Sequence, residues 1–182
     1  MFSKGKFFMV GFHGCDQETR DKIVLRQDTF KESVNEYDWL GHGIYFWEND
    51  YERAFQWAKD RKQNPAVIGA LIEPGNCLDL LEQSSREKLK DGYDALKNYV
   101  SRLSLDLPKN KIGKDHLLRN LDCAVINIYC EQYYKRSNVK YDSVRGAFWE
   151  GDPLFPGAAI KEKSHIQICV RNIECIKAVF IP

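Results

Sequence analysis

Apolar residues fill positions 7–12 almost without alternation, as in a strand buried on both faces. Asp16 then stands where it can cap a short helix over 17–25, with Ile23 and Val24 on one side. Residues 27–38 are polar and predict a loop. A second apolar run, 43–47, predicts a strand. Asn49 with Glu52 three residues on reads as a capping box, and Tyr51, Ala54, Phe55 and Ala58 recur at helical spacing behind it. That helix stops before Pro65.

Short apolar runs at 66–72 and 77–80, parted by the turn residues Glu73, Pro74, Gly75 and Asn76, predict two more strands. Two helices are expected next. One runs from Ser84 or Ser85 to about Leu103, with Leu89, Tyr93, Leu96, Val100 and Leu103 on one stripe. The other runs from about Asp115 to Lys135, with Leu117, Leu121, Ala124, Val125 and Ile128 on its stripe. Strand-like runs return at 144–149, 165–170 and 176–181. In the middle one Ile166, Ile168 and Val170 point one way and His165, Gln167 and Cys169 the other, the latter set away from the core. Strands bracket helices without a steady β-α-β-α rhythm, which predicts an α+β fold with mostly antiparallel strands. A chain of 182 residues fits one domain, 1–182, with a helical insertion at roughly 84–136.

The net charge of +1 lacks the electrostatic footprint of a dedicated nucleic-acid binder. Local basic clusters at Lys109, Lys111, Lys114 and Arg119, and at Lys135, Arg136 and Lys140, read as solvated faces, with a basic rim for an acidic substrate as the alternative. No apolar run reaches the length of a membrane span, and none reads as a signal peptide. Six cysteines, Cys15, Cys77, Cys123, Cys130, Cys169 and Cys175, have no Cys-x-x-Cys or zinc spacing. They read as buried thiols of a reduced, cytoplasmic protein, with no metal site. Cys15, next to a His-Gly pair, is the one placed to be reactive, although packing explains it as well.

The chemistry concentrates in two segments. Phe12-His13-Gly14 ends the first strand, and Gly41-His42-Gly43-Ile44-Tyr45-Phe46 opens the second. Glycines permit a sharp turn and close approach of a ligand. Tyr45 offers a flat face and His13 a directional imidazole. Followed by a helix carrying Ala54, this pattern resembles the diphtheria-toxin and poly(ADP-ribose)-polymerase class of ADP-ribosyltransferases, in an uncharacterised bacterial branch. The likeness is confined to the first third of the chain and, by position, the last strands. It implies a split antiparallel sheet with an inserted helical pair, a His-Tyr-Glu triad and NAD as co-substrate.

On that resemblance, His13 binds a ribose hydroxyl on the adenosine side and the Gly14 backbone grips the carboxamide. Gly43 lines the cleft, and Tyr45 stacks on the nicotinamide. Positions that give the polymerases a serine and a second aromatic wall fall near Arg53 and Gln56, with Trp57 adjacent; Arg53 is an alternative phosphate contact. The chain departs from the pattern at the glutamate. His165 or Gln167 occupies the matching strand position, and Glu162 or Glu150 is the nearest carboxylate. Negative charge there would stabilise cationic sugar character and deprotonate the acceptor. In the resembled family, lack of this glutamate goes with single-unit transfer or with inactivity, so chain elongation is not expected.

The implied activity is therefore glycosyl transfer by an NAD-dependent mono-ADP-ribosyltransferase. It would move ADP-ribose to a macromolecular acceptor, protein or nucleic acid, and release nicotinamide, as a bacterial toxin or defence effector with a neutralising antitoxin or immunity protein. The loop 150–163 lies where that class recognises acceptors, and Trp149 and Phe155 are its stacking residues. A non-catalytic NAD or ADP-ribose-binding module and an NAD glycohydrolase are the alternatives. RNA 2′-phosphotransfer is a further one, disfavoured by the missing basic cluster. Plainer roles stand beside these: His13 as a structural histidine, Tyr45 as core, His42 as an exposed turn, His116 without a role, and Trp39, Trp47 and Trp149 as core or cleft walls.

Overall fold

The computed structural model describes residues 7–111 and 118–182. Its centre is β1 (Met9–Asp16), which pairs along its whole length with β3 (Pro65–Ile72), from Met9 opposite Ile72 to Asp16 opposite Pro65. The expected end of this strand at Phe12 is thus corrected: His13, Gly14 and Cys15 continue it. A continuous partner outweighs the weak strand preference of glycine. β2 (Ile44–Glu48), β4 (Cys77–Asp79), β5 (Ser143–Phe148), β6 (His165–Val170) and β7 (Ile176–Phe180) complete one sheet in the order β4-β5-β6-β2-β1-β3-β7.

The fold is α+β, and the sheet is mixed. β4 and β5 run parallel, while the other neighbours run antiparallel. The seven strands form one hydrogen-bonded series, and the β1–β2 pairing stops after two residue pairs, short of one end of β2.

Helices cover both faces. α1 (Gln17–Val24) and the loop after it bring Ile23 and Phe30 onto one face, against Met9, Phe46, Ile68 and Ile168. On the other face α2 (Tyr51–Arg61) lays Ala54 on Trp47 and Val67. α4 (Asn120–Ser137) lays Ile126, Tyr129 and Cys130 on Val144, Phe148 and Cys169. α3 (Gln83–Arg102) packs on α4 through Leu96, Val100 and Val125. The expectation that His165, Gln167 and Cys169 look away from the core is therefore corrected. The alternation is as read, but the second face is covered too, and all three are buried. Of the second predicted helix, Asp115 and Leu117 lie outside the described residues, as do Lys114 and His116. No helix among the described residues is long and apolar enough to cross a membrane.

The α2 cap also differs from expectation. Asn49 takes a left-handed φ of 52° and donates its N–H to the Val10 carbonyl at 3.0 Å. It is spent on the turn out of β2. Asp50 caps instead, accepting from the Arg53 N–H at 3.0 Å.

Candidate functional site

The β1–β2 ladder holds only Gly11 opposite Glu48 and Phe12 opposite Trp47, extended by the Asn49–Val10 bond. Alternation along an antiparallel pair makes Gly14 and Tyr45 the next residues that would exchange backbone hydrogen bonds. The ladder stops short of them. The Tyr45 carbonyl meets the His13 Nδ1 instead, at 2.8 Å. Nδ1 must donate to a carbonyl, so the neutral ring keeps Nε2 as an acceptor. Burial lowers the His13 pKa below 6.5 and favours that neutral form; the Tyr45 carbonyl opposes the shift and the Lys62 charge adds to it. The same alternation directs the Gly14 N–H and C=O toward the β2 side, into the opening.

Gly14 has a tight environment on its α2 face. A Cβ there would run into the Ala54 carbonyl and lie 3.1 Å from the Trp57 ring. The missing side chain thus admits α2, and the backbone groups remain for the opening. Trp57 also meets Trp47, with ring centroids 5.9 Å apart.

His13 and Tyr45 are neighbours through the backbone, but their side chains occupy opposite faces of the sheet. The His13 ring packs at 5.4 Å from Phe30 and 5.7 Å from Phe46. Tyr45 packs with the cluster of Leu40, Tyr129 and Cys169. The expectation that imidazole and phenol form two walls of one crevice is corrected by strand alternation, which matches His13 with Phe46. The Tyr45 hydroxyl donates to the Gly41 carbonyl at 2.6 Å and accepts the Leu40 N–H at 2.8 Å. Desolvation holds its pKa well above 10, so it is a neutral clamp on that turn. Gly41 takes a φ of 77°, and a Cβ there would lie 2.6 Å from Asn127 Oδ1. Gly43 exchanges backbone bonds with Ser33 at 2.8 and 3.0 Å, so protein fills the space expected for a ligand beside it. Asn127 Oδ1 accepts the His42 N–H at 3.1 Å and ties α4 to the same turn.

The carboxylates separate cleanly. Glu162 is exposed. Glu150 is buried, and its Oε2 accepts from an Arg53 Nη at 2.6 Å. The same oxygen is 3.7 Å from His165 Nδ1, which donates to the Lys163 carbonyl at 2.6 Å. Burial lowers the His165 pKa; the Lys163 carbonyl opposes this and the Arg53 charge reinforces it. Gln167 lies on β6 opposite Trp47 on one side and Gly146 on the other.

Around His165 stand aromatic side chains to which the sequence assigned no more than wall roles. Trp39 stacks on it at 5.9 Å with planes 21° apart, and Phe148 and Trp47 lie at 5.8 and 6.3 Å. Arg119, expected on a solvated face, sits 4.4 Å over Trp39 and 4.7 Å over Phe148. Its place near the start of the predicted helix was the available signal, because the first turns of a helix packed on a sheet bring their side chains over the strand ends.

Cys15 is buried among apolar neighbours, and burial pushes its pKa up to about 11, as for an inert packed thiol. Among the described residues no three His, Cys, Asp or Glu side chains gather as a metal site. A groove of about 840 Å³ runs between α3 and α4, but its lining comes wholly from those helices, outside the strand-end site.

No family model and no solved structure matches the chain. It is similar to the uncharacterized protein MJ0359 of Methanocaldococcus jannaschii, with 27% identity over 195 residues, spanning 93% of this chain and 85% of that protein.

Proposed function

We propose that the chain is an NAD-dependent mono-ADP-ribosyltransferase with a sheet of the ADP-ribosyltransferase type, in which the opening between β1 and β2 receives the dinucleotide. The observation that carries this reading is the interrupted ladder. His13 takes over the Tyr45 carbonyl, and the donor and acceptor of Gly14 are left facing the gap. A paired N–H and C=O is the complement of a carboxamide. An imidazole with Nδ1 committed and Nε2 accepting suits a ribose hydroxyl.

In this reading NAD supplies an ADP-ribosyl group and nicotinamide as leaving group: the bond from ribose C1′ to the nicotinamide nitrogen breaks as C1′ bonds to the acceptor. Glu150 takes the acceptor's proton and places negative charge near the sugar in a dry environment. Gln167 orients without charge. Tyr45 acts through the Gly41 turn and its own carbonyl, as a positioning residue. The acceptor is a protein or nucleic acid, and a neutralising antitoxin or immunity protein belongs to the same cytoplasmic toxin or defence role.

A second reading is a module that binds NAD without turnover. The Arg53–Glu150 pair favours it, since the carboxylate oxygen nearest the guanidinium already accepts a hydrogen bond at 2.6 Å. NAD labelled in both halves separates the readings. For the enzyme, nicotinamide is released and ADP-ribose appears on a macromolecule. His13→Ala and Glu150→Gln should each slow release on the order of 10²-fold, while Glu162→Gln stays near wild type. Equal rates in all three variants would refute the assignment of Glu150 and His13. Saturable NAD binding without nicotinamide release would identify the module, and free ADP-ribose as sole product would identify a glycohydrolase.

A further inference from the structure

The connection between β5 and β6 forms a hairpin of its own. Pro153 bridges to Lys161, and the Leu154 N–H donates to the Ile160 carbonyl at 2.9 Å. The Glu162 N–H donates to the Asp152 carbonyl at 3.0 Å. The tip is a Pro156-Gly157 turn. Gly157 takes a φ of 81°, and the Ala158 N–H closes the turn on the Phe155 carbonyl at 2.9 Å. Both feet are held at the strand-end site. Glu150 accepts from an Arg53 Nη at 2.6 Å, and the Lys163 carbonyl accepts from His165 Nδ1 at 2.6 Å.

Held in this way, the hairpin still turns apolar side chains to solvent. Trp149 at its foot is 69% exposed, and Leu154, Phe155 and Ile160 are each more than half exposed. Leu154 and Ile160 oppose one another across the hairpin, so both extend from one face. Apolar side chains displayed on a preformed element mark a contact surface, because the chain that carries them is already ordered.

We propose that this hairpin is a docking surface for a protein, and that the acceptor in the transferase reading is accordingly a protein. The docking surface stands on the hairpin alone; only the naming of the acceptor rests on that reading. Charge decides between protein and nucleic acid. Lys161 and Lys163 are offset by Asp152 and Glu162 within the hairpin, and Arg53 at its foot is paired with Glu150. A nucleic acid is held mainly through its phosphates and needs a surplus of cations. A neutral surface bearing Trp and Phe matches the centre of a protein–protein contact. Size decides the kind of contact. The four side chains offer on the order of a few hundred Å², less than the ~800 Å² that each partner contributes to a stable complex. A permanently bound second copy would need more, whereas an acceptor that leaves after modification needs only a transient hold. Because Glu150 begins the hairpin, a protein seated on it lies beside the proposed base.

Leu154→Ser combined with Ile160→Ser is the test variant. Both side chains are exposed, so its melting temperature should equal that of wild type; Phe155→Ser, in the turn, is a second variant expected to act alike. Random peptides displayed on phage are panned on the full chain. Apolar, aromatic-rich peptides should be enriched, should bind the variants at least roughly tenfold more weakly, and should be insensitive to sodium chloride. Mixed-sequence single-stranded DNA and RNA should not compete. NAD labelled in its adenosine half is then offered with the proteins of a cell extract and, separately, with its nucleic acids. Label should appear on protein alone, about tenfold less with the double variant, while its nicotinamide release without acceptor stays at the wild-type rate. The docking surface is overturned by a lack of enriched peptides, by equal peptide binding to wild type and variants, or by a salt-sensitive oligonucleotide bound through the hairpin. A wild-type dimer in sedimentation that the double variant abolishes overturns it too, by assigning the hairpin to a second copy. Label on nucleic acid overturns the protein acceptor. A chain that takes peptides on the hairpin but neither binds nor cleaves NAD refutes the transferase reading and leaves the docking surface standing.

Discussion

The two histidines set the behaviour of the site at the level of single residues. His13 and His165 each spend Nδ1 on a backbone carbonyl, of Tyr45 and Lys163 respectively, and each has its pKa lowered chiefly by burial. The groups that act on His13 are the Tyr45 carbonyl and Lys62. Those that act on His165 are the Lys163 carbonyl, Arg53, Glu150 and Asp50. An unfolded chain takes up imidazole protons near pH 6.5, whereas the folded chain resists until lower pH. Between those points the unfolded state binds more protons, so stability rises with pH. It is complete above 6.5 and declines as the pH falls through the lowered folded values. The melting temperature should therefore drop steadily from pH 7.5 to about 5.5, and a His13→Gln, His165→Gln double variant should show a flatter slope. A wild-type profile level over this range would mean that neither imidazole is held neutral. Both histidines were visible in the sequence as candidates. Their fixed tautomers were not, because the Tyr45 carbonyl comes from the neighbouring strand and the Lys163 carbonyl from the loop that leads into β6.

At the scale of elements, the fit of α2 on β1 governs the opening. Ala54 and Trp57 of α2 close over Gly14, and α2 starts where Asp50 caps it, directly after the turn at Asn49. Replacing Gly14 by alanine puts a methyl group against the Ala54 carbonyl. Backbone cannot swing aside as a flexible side chain can, so the helix must shift. A loss of about 1–3 kcal/mol, the usual cost of overpacking, is expected in urea unfolding, with NAD binding impaired as well because the Gly14 backbone moves. Stability equal to wild type would mean that α2 does not seat on this strand. The periodicity of α2, its aromatic content and the strands on either side were legible in the sequence. The length of β1 was not. His13-Gly14 looks like a strand terminator locally, and only the eight-residue match with β3 carries the strand through it. The capping box failed for a related reason, since Asn49 was already needed to leave the sheet.

Across the whole molecule, the helical pair read as an insertion is the connection that makes the sheet possible. β4 and β5 are parallel neighbours, and a parallel pair requires a crossover between the end of one strand and the start of the next. α3 and α4 lie in that crossover. Short apolar runs such as 77–80 and 144–149 carry no mark of direction, so the sequence could supply the strands but not their mixed orientation. α4 is also the cover of one half of the sheet: its Ile126, Tyr129 and Cys130 share a core with Leu40, Leu78, Val144, Phe148 and Cys169. A removable insertion would leave its host intact. Here, replacing 84–136 by a flexible linker of about a dozen residues, long enough for a crossover, would bare Leu78, Val144 and Phe148 at about 1.5–3 kcal/mol each. It would also free the Gly41–His42 turn from Asn127. Those losses match the 5–15 kcal/mol that typically holds a domain together. The deletion variant should show no cooperative melt by circular dichroism and no dispersed amide spectrum. A soluble variant that melts cooperatively and binds NAD as the full chain does would return α3 and α4 to the status of an appendage. It would also mean that Tyr45 and its turn hold their place without the helix packed against them.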